Sequence, residues 1–160
     1  MGQEAAIGAS LQSAFASLRL WQQNHQGETG MIINGTFDVT LSPLASTLTD
    51  NAGVVIKRMA IAKTFHGELA AQSQGEMLSA MAATPGSAGY VALEQVSGTL
   101  AGKQGSFVLM HYGVMADGHN RLQLEVVPGS GSDELAGLSG SMGITIKEGQ
   151  HFYTFDYQLG

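Results

Sequence analysis

The chain of 160 residues contains no cysteine. Disulfides, thiolate nucleophiles and every cysteine-ligated metal site are therefore excluded. Cations are also scarce. Seven Lys and Arg stand against thirteen Asp and Glu, a formal charge of -6, and the longest basic cluster is Lys57-Arg58. A surface of that balance repels nucleic-acid backbones and anionic membranes, so neither is expected as a partner. No apolar run approaches the roughly 18 residues of a membrane span, and the first residues lack the basic start and apolar core of a secretion signal. The expectation is a soluble, cytoplasmic protein, in which the acceptor-like triplet Asn34-Gly35-Thr36 carries no weight. The three prolines, Pro43, Pro85 and Pro128, each fall where a strand or turn is expected to end a run.

What the chain has in abundance is alternation and glycine. Its length predicts one domain, burying about 68–70% of the surface its unfolded form exposes. From Gln3 to Gln26, apolar residues at Ile7, Leu11, Ala14, Phe15, Leu18 and Trp21 follow the spacing of an amphipathic helix, which Gly27 to Gly30 end. The organisation expected is thus a helical extension over 1–29, docked onto the body by its apolar face, followed by a single domain over 30–160. After Gly30 the period becomes two. Ile33, Phe37, Val39 and Leu41 alternate with Asn34, Thr36, Asp38 and Thr40, which reads as a half-buried strand ended by Ser42-Pro43. Further strands are expected at Val54 to Leu69, Gly75 to Ala82, Gly89 to Leu100, Ser106 to Val114, Arg121 to Val127, Met142 to Lys147 and His151 to Leu159. The connections are short and rich in Gly, Asp and Asn, so neighbouring strands must be antiparallel, because a parallel crossover needs a dozen or more residues. The fold class that follows is all-β, a closed antiparallel eight-stranded barrel. Closure leaves no exposed edge, and eight strands surround either a packed core or one small ligand.

Four blocks carry a resemblance. They are Lys63-Thr64-Phe65-His66-Gly67-Glu68-Leu69, Gly86 to Glu94, Gly105 to His111, and Val126-Val127-Pro128-Gly129-Ser130-Gly131 through Glu134 to Leu138. Together, and in order over roughly Gly30 to Leu159, they resemble the signature blocks of a bacterial family of unknown function. The resemblance implies a barrel similar to that of allene oxide cyclase, of lipocalin size, and implies no reaction. The helical segment lies outside it.

Candidate chemistry is sparse. Pro128-Gly129-Ser130-Gly131-Ser132-Asp133-Glu134 has the glycines of an anion-binding loop, but its two acids stand where the anion would sit, so a structural turn is expected. Gly137-Leu138-Ser139-Gly140-Ser141 fails the nucleophile-elbow pattern at its last position. His66-Gly67-Glu68 has half of a zinc-deaminase motif whose cysteine half is absent. His25, His66, His111, His119 and His151 show no metal-ligand spacing, and neither a metal nor a cofactor is expected.

The informative irregularity is a charge where the period demands an apolar residue. Tyr90, Ala92, Glu94 and Val96 share one strand face; Phe107, Leu109 and His111 share a face of the next strand. If both faces point inward, Glu94 and His111 converge, with Tyr90, on a cavity lined by Phe37, Phe65, Phe107, Tyr153, Phe155 and Tyr157. Apolar walls with a few placed polar groups are the anatomy of a small-molecule site. A carboxyl among such walls would have a raised pKa, and Glu94 with His111 would then be an acid/base pair. Three readings stay open: a barrel that binds a hydrophobic or amphipathic small molecule, an isomerase or cyclase using the same cavity, and a packed barrel serving assembly alone. Val108, Met110 and Tyr112, apolar on the opposite face, call for cover by the helical extension or by a second copy, most simply a two-fold homodimer.

Overall fold

The alternation closes on itself. The computed structural model describes residues 30–160, which form eight strands: β1 (Met31–Leu44), β2 (Val55–Gly67), β3 (Leu69–Met81), β4 (Ala88–Leu100), β5 (Lys103–Ala116), β6 (His119–Val126), β7 (Leu138–Lys147) and β8 (Gln150–Leu159). Each strand pairs antiparallel with the next, and β8 returns to β1, giving a closed up-and-down barrel. The helix expected over 1–29, and its docking, lie outside the described residues. Among those described, no helix is long and apolar enough to cross a membrane.

Turn chemistry sets the hairpins. Ala101-Gly102, Asp117-Gly118 and Glu148-Gly149 each place two successive residues at positive φ, between 48° and 81°. That is the type I′ geometry whose twist matches the strands it joins. The expected five-residue link between β4 and β5 is thus the two-residue turn Ala101-Gly102, because Leu100 already pairs with Lys103. Other boundaries also move, and β7 begins at Leu138, ahead of the expected Met142, so that Leu138 to Ser141 are strand where a loop is expected. β1 continues through Pro43 to Leu44, paired with β2 up to Arg58. β3 begins at Leu69, ahead of the Gly75 at which the sequence pattern predicts its start, and takes in Ala70 to Gln74. Those residues are alanines, glutamines and a serine, of weak strand preference, and two flanking partners, β2 and β4, hold them extended.

The two ends of the barrel differ. At one, the Val127–Gly137 connection folds across the opening and its short 3-10 turn (Asp133–Leu135) inserts Leu135, buried against Leu69, Leu100 and Leu138. The Pro-Gly-Ser-Gly loop is spent on this closure. Ser130 Oγ and Ser132 Oγ accept from the backbone N–H groups of Val108 and Ser106, and Glu134 accepts from Gln104 N–H. β5 is longer than β6, and these side chains satisfy the edge that β6 is too short to reach.

The other end has no such plug. There, Leu41, Val55, Met81, Met115, Leu122 and Ile146 occupy strand positions that share a face with the core, yet are 39–64% exposed. The wall is also weakly paired beside them. β6 and β7 share just the pairs Leu124–Met142 and Glu125–Ser141, with no pairing from there to the unplugged end. On the outer surface, Leu78, Val91, Leu93, Met110 and Tyr112 of β3, β4 and β5 form a contiguous exposed apolar patch, on the strands where the sequence reading asked for cover.

Candidate functional site

Strand parity places the site. Glu94 on β4 lies between Ala92 and Val96, both buried, and is itself 0% exposed. His111 on β5, flanked by buried Leu109, is 3% exposed. Both point inward, and His111 Nε2 lies 2.7 Å from Glu94 Oε2.

Two further residues complete the cluster. Lys63, 7% exposed between Ile61 and Phe65 on β2, sends Nζ to within 2.9 Å of the same Oε2. Ser73 on β3 donates from Oγ to Oε1. Gly75 pairs directly with Glu94, and a Cβ there would run into the Leu93 carbonyl oxygen and lie 3.0 Å from Glu94 Cα, so the missing side chain lets β3 approach β4 closely at Glu94.

These donors decide the charge state. Burial pushes the Glu94 carboxyl up, but the hydrogen bond from His111, the charge of Lys63 and the hydrogen bonds from Ser73 and Lys63 outweigh it and hold the group at about 2. The expectation of a raised pKa is thereby corrected: Glu94 is an ionised, fully partnered carboxylate and has no proton to give near neutrality. Because it accepts from three directions, His111 must donate through Nε2. In a neutral imidazole the lone pair then falls on Nδ1.

Lys63 and Ser73 escaped the sequence reading for different reasons. Lys63 sits in the alternation Met59, Ile61, Lys63, Phe65, and a cation at a core-parity position is a signal of the same kind as Glu94. Ser73 carries no such signal, since Ala70 to Gln74 has no period-two alternation to give it a parity.

The remaining candidates separate. Tyr90 is half-buried beside the cluster, its ring centroid 6.3 Å from that of His111 and edge-on to it. Burial and then the charge of Glu94 push its phenol pKa up, so the hydroxyl keeps its proton. Phe37 and Phe65 lie under Lys63, with Nζ 4.9 and 5.6 Å from their ring centroids. Phe155 stacks on Phe107 and meets Tyr157 at a tilt, and all three are buried in the core. Tyr153 ties β8 to the β2–β3 corner, its hydroxyl donating to His66 O and accepting from Leu69 N–H. These six rings pack against one another or against Lys63; Tyr90 and His111 are the candidates nearest the unplugged end.

Above Tyr90 and His111, the inward positions of that end include Val39, Met59, Met77 and Ile144, all half-buried, with the polar Ser79 and His151 among them, and then the exposed rim, where Lys57 and Asn120 stand among the apolar side chains. No described group of three or more His, Asp or Glu side chains is arranged to hold a metal ion.

Gly113 sets Tyr90 in place. A Cβ on Gly113 would overlap the Tyr90 ring. Gly113→Val is expected to expel that ring and to destabilise the barrel by about 1–3 kcal/mol, the usual range for overpacking. In a Tyr90→Ala background the same change should have little effect. Urea unfolding of the four proteins checks this, and an equal loss in both backgrounds would show that the ring is not what Gly113 accommodates.

The profile of a family described as "Protein of unknown function (DUF3224)" matches residues 33–157, which is the barrel. A crystal structure of a protein of unknown function from the DUF3224 family of Shewanella oneidensis MR-1 is 58% identical in sequence and superposes with a TM-score of 0.80, over 82% of this chain and 98% of that one. No curated protein matches the chain.

Proposed function

The chain belongs to the DUF3224 family, whose description carries no activity, and from the chemistry of the barrel we propose that it holds a hydrophobic or amphipathic small molecule taken up through the unplugged end. In this reading the barrel is of the allene oxide cyclase type and is used as a container. The apolar part of the ligand lies against Met59, Met77, Val39 and Ile144, and its polar end reaches Tyr90 and His111. The observation that carries the reading is the group of inward-facing apolar side chains, Leu41, Val55, Met81, Met115, Leu122 and Ile146, left exposed above a buried polar cluster. A barrel built for packing alone would bury those side chains, as the plugged end does with Leu69, Leu100, Leu135 and Leu138. Each large apolar side chain left in water forgoes about 1.5–3 kcal/mol of burial, and a ligand recovers part of it. Methionine at two of the wall positions suits a site that adapts to its occupant.

Turnover has less support. With Glu94 ionised and saturated, it orients His111 and is unavailable as the acid of an acid/base pair.

The test is uptake of a neutral environment-sensitive dye such as Nile red, together with native mass spectrometry of the purified protein. The wild type is expected to bind the dye with enhanced emission, and Met77→Glu, which places a charge on the wall, to weaken binding at least about ten-fold while the thermal melt stays cooperative. No dye uptake by the wild type, or equal uptake by Met77→Glu, would remove the container reading.

A further inference from the structure

The polar cluster is unequal in what it offers a ligand. Glu94 Oε1 is taken by Ser73, and Oε2 by Lys63 and His111. The ammonium of Lys63 is turned onto Glu94 and the rings of Phe37 and Phe65. Neither charge is therefore free for an ion-pairing headgroup. His111 differs. Its Nε2 is committed to the carboxylate, while Nδ1 has no hydrogen-bond partner among the described residues. Among the described residues, no partnerless side-chain nitrogen or oxygen is sealed from solvent. Nδ1 therefore belongs to a side chain that is 4% exposed and is itself not sealed from water. The Tyr90 hydroxyl, on the ring that lies edge-on to His111, is likewise without a protein partner among the described residues and is not sealed from water.

A bonded carboxylate fixes which nitrogen carries the imidazole proton, and so fixes what the other nitrogen can do. With the proton on Nε2, Nδ1 is an acceptor. Resting on the container reading, we infer that the ligand's polar end is a hydrogen-bond donor, an uncharged hydroxyl, which donates to His111 Nδ1 and pairs with the Tyr90 hydroxyl. The class is an apolar alcohol or phenol. A carboxylate would bring two acceptors to an acceptor, with Glu94 fixed and negative behind it; the cation it could reach is Lys57, at an inward-parity position on the exposed rim. An ether or ester lacks the donated proton.

Matched probes separate these cases. Displacement of bound Nile red is measured with 1-decanol, with nonyl methyl ether, which has the same number of heavy atoms, and with decanoic acid. The alcohol is expected to bind about ten-fold tighter than the ether, the worth of one good buried hydrogen bond, and tighter than the acid. Tyr90→Phe and His111→Gln should each reduce the alcohol's advantage over the ether at least three-fold. His111→Gln keeps a donor toward Glu94 and removes Nδ1; Tyr90→Phe removes only a hydroxyl and leaves the Glu94 pairing intact, so it reads the site even if the other variant fails to fold. Equal affinity of alcohol and ether, or an advantage untouched in Tyr90→Phe, overturns the hydroxyl assignment and leaves the container reading standing. Tightest binding by the acid, lost in Lys57→Gln, also overturns it and moves the polar end to the rim. Failure of all three probes and of the dye brings down the container reading itself.

Discussion

Lys63→Met is expected to destabilise the protein by about 3–5 kcal/mol at pH 7, the loss associated with breaking a buried ion pair by removing one partner. Lys63 and Glu94 are 6% and 0% exposed at their side chains, and the ammonium lies 2.9 Å from Oε2. Methionine preserves the length of the aliphatic stem and its contact with Phe37 and Phe65, so the change isolates the charge. What remains is a carboxylate with no solvent and no cation, which His111 and Ser73 alone do not compensate. The variant should therefore take up a proton on folding, and its stability should rise on mild acidification, the opposite of the wild type. Lys63→Met combined with Glu94→Gln removes both charges and should recover most of the loss, because a buried pair replaced whole is close to neutral. Urea unfolding at pH 7 and pH 5 measures all of this. A single variant within about 1 kcal/mol of the wild type would mean that Glu94 is not ionised in the fold.

Acid unfolding tests the same carboxylate without disturbing packing. The Glu94 carboxyl is held at about 2 in the folded protein against 4.5 for the ordinary group. A lowered folded pKa gives stability that is present in full above the unfolded value and is lost as pH falls toward the folded one. The window is therefore from about 4.5 down to about 2. At roughly 1.4 kcal/mol for each pH unit of separation, the contribution at neutrality is about 3 kcal/mol, of which about 2 kcal/mol is gone by pH 3. Other carboxylates add their own acid sensitivity, so the quantity to compare is the difference between wild type and Glu94→Gln. The variant should lose about 2 kcal/mol less between pH 6 and pH 3. Parallel curves would show that Glu94 titrates as an ordinary carboxyl and that the three donors do not hold it ionised.

The exposed parts of the barrel give no comparable effect. The Arg58–Glu76 pair on the outer surface is geometrically good, with Nη2 2.6 Å from Oε2, yet both side chains are more than a third exposed. A pair of that kind contributes about 0–1 kcal/mol. The energetic weight of charge in this molecule lies inside it.

The sequence by itself determined the architecture and half of the polar cluster. Period-two alternation from Ile33 to Leu41 and in the later strands, with Gly-containing two-residue turns, leaves room only for antiparallel neighbours, and eight such strands close. Glu94 and His111 were legible because each stands at a position where parity demands an apolar residue. Tertiary structure decided the rest. The segment Ala70 to Gln74 has no local reason to be extended; two neighbouring strands make it so and carry Ser73 inward. Lys63 is thirty-one residues from Glu94 in the chain, and no local pattern states which side chain will meet a buried carboxylate across β2, β3 and β4. That meeting reverses the direction of the Glu94 pKa, because desolvation is a property of one residue's burial while its compensation depends on which donors the register brings within 3 Å. The same holds for the two ends. Leu135 and Leu41 are alike in sequence, and only the fold of the connection between β6 and β7 buries one as a plug and leaves the other on an open rim.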